Sequence, residues 1–202
     1  MSTGFYIETP RLKLILPHMD YVEEIQAAKE AVWDQLQLWM SWSFDDAKNI
    51  ESTKAFIRAQ SDFASRDFSL IGLDKETGRF AVSTGLNKEK DAGPDAYHTG
   101  YWVAPEFLGR GYATESTLGV LHYAFQAGGA KEVHINYYQD NEKSRRVIEK
   151  CGFTYMDTDT LGAVRPLDGT ALDKHNYVMR DPALLPPLAV SWNIPDGLKR
   201  PA

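Results

Sequence analysis

The chain has 202 residues, of which 43% are apolar and 25% are charged, and its formal net charge is −6. This length and composition are ordinary for one globular domain with a sizeable core, or for one domain plus a tail. The acidic balance argues against a protein that coats nucleic acid, because such proteins need a basic surface. It is compatible with a cationic substrate or a basic partner.

The single cysteine, Cys151, excludes an internal disulfide and predicts a reducing compartment. The first residues, MSTGFYIETPRLKL, contain no apolar core of signal-peptide length. No run approaches the roughly 20 apolar residues that a membrane span needs. We therefore expect a soluble cytoplasmic protein that contacts neither membrane nor nucleic acid.

The first part of the chain predicts a strand followed by two helices. Alternating apolar residues and the closing Pro17 place the strand at Phe5 to Leu16. The first helix is expected to begin at Asp20, whose spacing to Glu23 suits a capping box. The second helix follows the tryptophan-rich run LWMSWSF, and its expected cap and apolar stripe are Asp45 or Asp46, then Ile50, Ile57 and Ala64.

Strands dominate from residue 68 onward. The segment DKETG at 74–78 predicts a hairpin turn, and the unit at 98–138 predicts a right-handed crossover between parallel strands. The predicted elements are strands Phe68–Leu73, Arg79–Leu86 and His98–Val103, helix Thr114–Gln126, strand Glu132–Tyr138, a helix from Asp140 or Asn141 to Lys150, and strands at Phe153–Met156 and Asn176–Arg180.

The residues after Asp181 differ in character from the rest. They are rich in proline and irregular, so we predict a tail over residues 181–202 beyond a domain at 1–180. Four apolar side chains in this tail are numerous enough to dock on a surface: Leu188, Val190, Trp192 and Ile194.

The run PEFLGRGYATES at 105–116 places two glycines between a strand and a helix. Such a turn exposes unpaired backbone N–H groups at the positive end of a helix dipole, which together form an anion site. The turn is therefore either a phosphate cradle or a plain strand–helix connection. The nucleotide loop Gly-x-x-x-x-Gly-Lys-Ser/Thr is absent, and Thr114 occupies the third glycine's place in the dinucleotide pattern.

A second candidate lies downstream in DNEKSRRVIEKCGF at 140–153. Asn141 at a strand end has an amide free for hydrogen bonding, and Ser144 follows about one helical turn later, so both can face one cleft. Alternatively, Asn141 only caps the helix and Ser144 is only a polar residue of its first turn.

Taken together, these two motifs make the chain resemble the GNAT superfamily of acetyl-CoA-dependent N-acetyltransferases. The glycine signature of that family falls on residues 108–113. The finer resemblance is to the ribosomal-protein N-terminal acetyltransferases (the Rim type), and it covers about residues 5–180. It is carried by ETPRLKL at 8–14, LWMSW at 38–42, GYWVAPEFLGRGYATE at 100–115 and NEKSRRVIEKCGF at 141–153.

The resemblance implies an α/β (α+β) GNAT fold with a mixed, mostly antiparallel twisted sheet of about six to seven strands and about four helices. It implies acetyl-CoA as co-substrate, no metal, and a strand bulge whose backbone pairs with the pantetheine arm. Ser144 is then a general acid toward the departing thiolate. The implied cofactor-binding residues are Trp102, Val103, Leu108, Gly109, Arg110, Gly111, Tyr112, Ala113 and Asn141.

This sequence departs from the family pattern at three positions. Leu108 replaces the Arg or Gln that opens the glycine motif, which weakens the expected cofactor site without abolishing it. Ile148 stands where many members carry a tyrosine, which raises the weight on Ser144. His98 stands where many relatives have a Glu, and it is either the general base or an ordinary strand histidine.

The implied reaction is direct attack of a neutral amine on the acetyl thioester, with a protein N-terminal α-amine as the first choice of acceptor. Polyamines or aminoglycosides are alternative acceptors, and a non-catalytic coenzyme A-binding module is the alternative class of protein. Trp39 and Trp42 either line the substrate entrance or pack two helices together. We expect a monomer or a homodimer.

Overall fold

The computed structural model describes residues 4–59, 67–89 and 92–195. Within these ranges the chain forms five α-helices and ten strands. The helices are α1 (Val22–Ala31), α2 (Trp33–Trp39), α3 (Ile50–Ala59), α4 (Tyr112–Tyr123) and α5 (Glu142–Lys150). The strands are β1 (Tyr6–Glu8), β2 (Leu12–Ile15), β3 (Phe68–Asp74), β4 (Phe80–Lys88), β5 (Ala96–His98), β6 (Tyr101–Val103), β7 (Glu132–Tyr138), β8 (Thr154–Val164), β9 (Ala171–Met179) and β10 (Ser191–Asn193).

All ten strands belong to one sheet with the order β10-β1-β2-β3-β4-β5-β7-β9-β8, and β6 also pairs with β4. Every pairing is antiparallel except that of β5 with β7. The predicted mixed, mostly antiparallel sheet is therefore confirmed, as is the parallel pair joined through α4. The structure has ten strands instead of the expected six to seven. Two predicted strands each divide into two, and the tail contributes one more strand.

The predicted single strand from Phe5 to Leu16 is wrong. It forms a tight hairpin, in which the Thr9 N–H donates to the Leu12 carbonyl at 3.0 Å. Tyr6 then pairs with Ile15 on the returning strand. The alternating apolar pattern survives because Leu12 and Leu14 on β2 and Ile7 on β1 all turn toward the core.

Both predicted helix starts in this region also need correction. A short 3-10 turn precedes α1, and its Asp20 N–H is capped by His18 Nδ1 at 3.3 Å, so no Asp20–Glu23 capping box forms. At α3 the capping side chain is Asn49, whose Oδ1 accepts from the Ser52 N–H at 3.0 Å. The predicted stripe position Ala64 lies outside the described residues.

Helices cover both faces of the sheet. α4 packs so closely on the first hairpin that a Cβ at Gly119 would lie 2.7 Å from Thr9 Cγ2 and 3.6 Å from Leu14 Cδ1. α5 lies on the same side, because the Cys151 thiol that ends it contacts the Thr114 carbonyl of α4 at 3.8 Å. The opposite face is covered by α1 and α3, whose side chains line a cleft with β3 and β4.

The sheet opens between β6 and β7. The parallel pairing of β5 with β7 ends at His98 and His134, where the Thr99 N–H donates to the His134 carbonyl at 2.9 Å. Beyond that point β6 pairs with β4, and β7 pairs with β9. A gap therefore separates β6 from β7, whereas β5, which comes just before β6 in the chain, still pairs with β7.

The bulge that the family resemblance implies does not appear as a register shift. Asn87 pairs with His98, and Thr84 pairs with Tyr101, so both strands advance three residues across the break. The ladder lapses there because Thr99 turns its hydroxyl to the Gly85 carbonyl at 2.7 Å. The predicted strand His98–Val103 is consequently two short strands in one register.

Part of the tail belongs to the sheet. Residues 191–193 form β10 and pair with β1. Trp192 packs edge-on against Tyr123 of α4 at a centroid distance of 6.0 Å, and the Pro186 carbonyl lies 3.1 Å from His122 Nε2. In the described part of the chain, no helix combines the length and the apolar character needed to cross a bilayer.

Candidate active site

The glycine turn connects β6 to α4 through a short 3-10 segment at Pro105–Phe107. Gly109 and Gly111 have φ of 72° and 84°, the left-handed region that glycine adopts without strain. Leu108 N–H donates to the Pro105 carbonyl, and Glu115 N–H donates to the Gly111 carbonyl. Between them, the N–H groups of residues 109–114 have no hydrogen-bond acceptor among the described residues, so this turn is a cluster of free donors.

These free donors fit a phosphate-bearing ligand. They lie at the N-terminus of a helix of twelve residues, where the dipole favours an anion. A Cβ built on Gly109 would meet no heavy atom within 4 Å, so space is open beside the turn. Leu108 is 45% exposed. It contributes no charge to the turn, because a leucine stands where the family pattern has Arg or Gln.

The side chain of Tyr112 anchors the turn instead of facing a ligand. It is buried, and its hydroxyl donates to Asp74 Oδ2 at 2.6 Å. Although burial opposes ionisation of Asp74, hydrogen bonds from Tyr112 and Thr77 hold the pKa of that carboxyl below its usual value. Only the backbone of Tyr112 is thus available to the predicted cradle.

Asn141 caps α5, and its predicted contact with the cofactor stays a prediction. Its Oδ1 accepts a hydrogen bond from the Ser144 N–H at 3.2 Å. This bond fixes Ser144 in the first turn of the helix. The Ser144 hydroxyl in turn lies 3.2 Å from the hydroxyl of Tyr101 on β6.

Tyr101 is a site residue that the sequence prediction missed. Burial raises the pKa of its hydroxyl to about 12, and the hydrogen bond with Ser144 only partly offsets this. The group therefore stays protonated at neutral pH and can donate a hydrogen bond. Cys151 lies near Tyr101 in space, and burial raises the pKa of its thiol to about 12, so it remains a thiol.

A cleft of about 500 Å³ lies on the opposite face of the sheet. It brings together the predicted residues His98, Trp102 and Trp42, and Tyr101 reaches it from the strand. Trp102 also packs on Phe80 at a centroid distance of 5.2 Å. Trp39 ends α2 and is not among the residues that line this cleft.

His98 is held by Asn136 of β7, which the sequence prediction also missed. The side-chain nitrogen of Asn136 lies 2.9 Å from His98 Nε2. Desolvation by burial lowers the pKa of His98 below its usual value, although Glu89 opposes the shift. The imidazole is therefore neutral at physiological pH, which is the form that can accept a proton.

The cleft also contains a buried cation. Lys29 of α1 is only 4% exposed. Its ammonium donates to Thr53 Oγ1 at 2.5 Å and to the Ala47 carbonyl at 2.8 Å. Burial lowers the pKa of Lys29 to about 8, with Glu30 opposing. The sequence does not point to this site, because the partners of Lys29 lie 18–24 residues away along the chain.

The fold and the turn define an α/β protein that has a cluster of free backbone donors at a helix N-terminus, beside an opening in its sheet. A profile of the acetyltransferase (GNAT) domain matches residues 11–154, which is more than two thirds of the chain. The chain therefore belongs to the GNAT family, the acetyl-CoA-dependent N-acetyltransferases. The family resemblance seen in the sequence is confirmed.

Individual relatives match over shorter segments. The chain is 38% identical over 64 residues to FsC-acetyl coenzyme A-N(2)-transacetylase of Aspergillus fumigatus, a match that covers 32% of this chain and 27% of that protein. It thus spans about a quarter of that relative's length.

Solved structures match over most of the chain. Ribosomal-protein-S5-alanine acetyltransferase of Vibrio fischeri superposes with a TM-score of 0.77 at 16% identity, over 90% of this chain and 99% of that one. RimJ of Mycobacterium smegmatis in complex with CoA-disulfide gives 0.74 at 18% identity, over 88% and 87%. At identities of 16% and 18%, this likeness shows a shared fold and nothing further.

Proposed function

We propose that this protein transfers the acetyl group of acetyl-CoA to a primary amine, and that the acceptor is the α-amine of a protein N-terminus. Both substrates are bound together, and the amine attacks directly. The observation that carries the proposal is the opening between β6 and β7, which has free amides on one side and a cleft with a neutral histidine on the other. The S5-alanine acetyltransferase fold and the Rim-type motifs support a protein acceptor.

The cofactor side of the site is built from backbone donors and one hydroxyl pair. The N–H groups of residues 109–113 would hold the pyrophosphate, and Leu108 would add only its own backbone. The exposed edges of Trp102 and Val103 beside the opening would pair with the pantetheine arm. Acetyl-CoA supplies an activated acetyl thioester when bound. The Ser144 hydroxyl, held by Tyr101, would donate its proton toward the cofactor sulfur.

The acceptor side supplies a base. The structure places the amide nitrogen of Asn136 toward His98 Nε2. For His98 to accept a proton at Nδ1, we propose the reverse amide orientation, in which the side-chain oxygen accepts from a protonated Nε2. A modest base suffices for this acceptor, because an α-amine has a pKa of about 7.7–8.0 and is partly neutral at physiological pH. A lysine amine, with a pKa of about 10.4, would need far more help.

Acceptor choice is the direct test. Acetyl-CoA would be incubated with a peptide that has a free N-terminus and no lysine, with an N-terminally blocked peptide that contains lysine, with spermidine, and with an aminoglycoside. We expect acetylation of the first peptide, detected as a 42 Da gain by mass spectrometry. Transfer to spermidine or the aminoglycoside alone would contradict the protein acceptor and identify a small-amine acetyltransferase. Coenzyme A binding without transfer to any acceptor would identify a binding module.

A further inference from the structure

Arg11, in the turn between β1 and β2, reaches across to the glycine turn. Its Nη1 donates to the Arg110 carbonyl at 2.9 Å, and its Nε donates to Glu115 Oε2 at 2.6 Å. Its backbone N–H donates to the other Glu115 oxygen at 2.7 Å. Arg11 thus binds both the glycine turn and the first turn of α4, although it lies 99 positions before Arg110 in the chain.

The bond to the Arg110 carbonyl fixes which way the next N–H points. In a trans peptide the C=O and the following N–H point in opposite directions. Arg11 holds the carbonyl on its own side, so the N–H of Gly111 is directed away from Arg11. Glycines flank Arg110, and both have positive φ, so little else in the local backbone opposes rotation of this peptide.

The pair with Glu115 removes a charge that opposes anion binding. Glu115 is buried in the first turn of α4, where its carboxylate would otherwise repel a phosphate at the same helix end. Arg11 neutralises it through two donors, and the Thr9 hydroxyl donates to the same carboxylate at 2.7 Å. Arg110, whose guanidinium lies 5.6 Å from the Tyr112 ring centroid, has no carboxylate within ion-pair distance among the described residues.

We propose that Arg11 is a positioning residue for the cofactor: it sets the Arg110–Gly111 peptide and neutralises Glu115, so that the glycine turn accepts the pyrophosphate of coenzyme A. This inference rests on the proposed function. Arg11 itself needs no contact with the ligand.

The test compares two acetyl donors in the full-length protein. S-acetylpantetheine has the same thioester as acetyl-CoA but lacks the pyrophosphate and the nucleotide. For Arg11→Ala we expect KM for acetyl-CoA to rise about tenfold, the equivalent of one lost charged hydrogen bond, while kcat/KM for S-acetylpantetheine stays unchanged. Arg11→Lys should fall between, since lysine can pair with Glu115 but cannot also hold the carbonyl in the same fork geometry.

The matched control is Arg180→Ala, which removes another arginine paired with a glutamate, Glu132, at 2.7 Å. It should change neither donor's kinetics. The ratio of the two kcat/KM values within one variant is independent of how much of it folds. If Arg11→Ala lowered kcat/KM equally for both donors, the ratio would stay at its wild-type value, Arg11 would have a purely structural role and the inference would be overturned. The same conclusion would follow if neither kcat/KM value changed. Wild-type protein that binds no coenzyme A would instead refute the proposed function itself.

Discussion

His98 and Tyr101 lie on opposite faces of the same stretch of sheet. His98 is paired with Asn87, and Tyr101 with Thr84, three residues further along an unbroken register. Because side chains alternate along a strand, an odd separation places them on opposite faces. The side chain of His98 therefore lines the cleft. Tyr101 also borders the cleft, but its hydroxyl meets Ser144 on the α5 side. In the proposed mechanism, proton acceptance by His98 and proton donation by the hydroxyl pair would therefore occur on separate sides of the opening.

Gly109→Ala should weaken coenzyme A binding by about tenfold or more, because a methyl group and an altered backbone would disturb the cradle. The matched control is Gly78→Ala in the β3–β4 turn. Both glycines have φ of 72°, and a Cβ on either meets nothing within 4 Å. Both variants should therefore lose about 1–2 kcal/mol of stability. Calorimetric titration of coenzyme A should separate them, and equal affinities would exclude Gly109 from the cofactor site.

Ser144→Ala and Tyr101→Phe should each lower kcat by about 10²-fold, the lower range for losing general acid catalysis, with little change in KM for acetyl-CoA. The matched control is Tyr155→Phe, which removes a tyrosine hydroxyl that bonds to Thr158 at 2.9 Å on exposed β8. Steady-state kinetics at saturating acceptor would measure the effect. If Tyr101→Phe behaved like Tyr155→Phe, the hydroxyl pair would have no part in proton donation.

The acidic limb of the pH–rate profile should belong to His98. Burial lowers the pKa of His98, so the neutral imidazole persists until the pH falls below about 6.5, the usual pKa of histidine. Activity that depends on it is therefore lost below that pH. His98→Gln should remove this limb and lower kcat, whereas His122→Gln should not. Asn136→Asp should move the limb to higher pH, since a carboxylate beside the ring favours the imidazolium. If the acidic limb stayed at the same pH in both His98→Gln and Asn136→Asp, His98 would be excluded as the base.

Lys29 should make stability rise with pH. Its pKa is about 8 in the folded protein and about 10.4 in an unfolded chain. Between these values the unfolded state binds more protons, so the free energy of unfolding increases with pH. Lys29→Met should flatten this rise. It should also cost about 1–3 kcal/mol near pH 7 by leaving buried acceptors unpaired. Denaturant unfolding from pH 7 to 10 would measure both effects. Lys54→Met, at a more exposed lysine, is the control, and an identical slope in Lys29→Met would contradict the assignment.

The sequence predicts local features of this protein well. The strand Glu132–Tyr138 has the predicted bounds, and Asn141 caps the helix that its position indicates. Each depends on a few consecutive residues, such as a run of alternating apolar side chains or a capping residue before a helix. The long hairpin of β8 and β9 was predicted only in part, because most β8 side chains are exposed and show no alternation.

Contacts across the sheet could not be predicted in the same way. Tyr101 and Ser144 are 43 positions apart, and Arg11 and Glu115 are 104 apart. Their meeting depends on strand register and on which face each helix covers, neither of which a short motif encodes. The hydroxyl pair, the Asn136 partner of His98 and the buried Lys29 therefore became visible only in the folded chain.

The short strand at residues 191–193 is the edge strand of the sheet and pairs with β1. A chain shortened to Asp181 would leave the backbone groups of β1 without their partners and would uncover the ring of Tyr123, where Trp192 packs. An unpaired strand beside exposed aromatic surface is a template for another molecule's strand. β10 is itself an edge strand, so its loss would move the edge to β1 and add the Tyr123 ring to the exposed surface. A chain shortened in this way should self-associate at concentrations that the full chain tolerates.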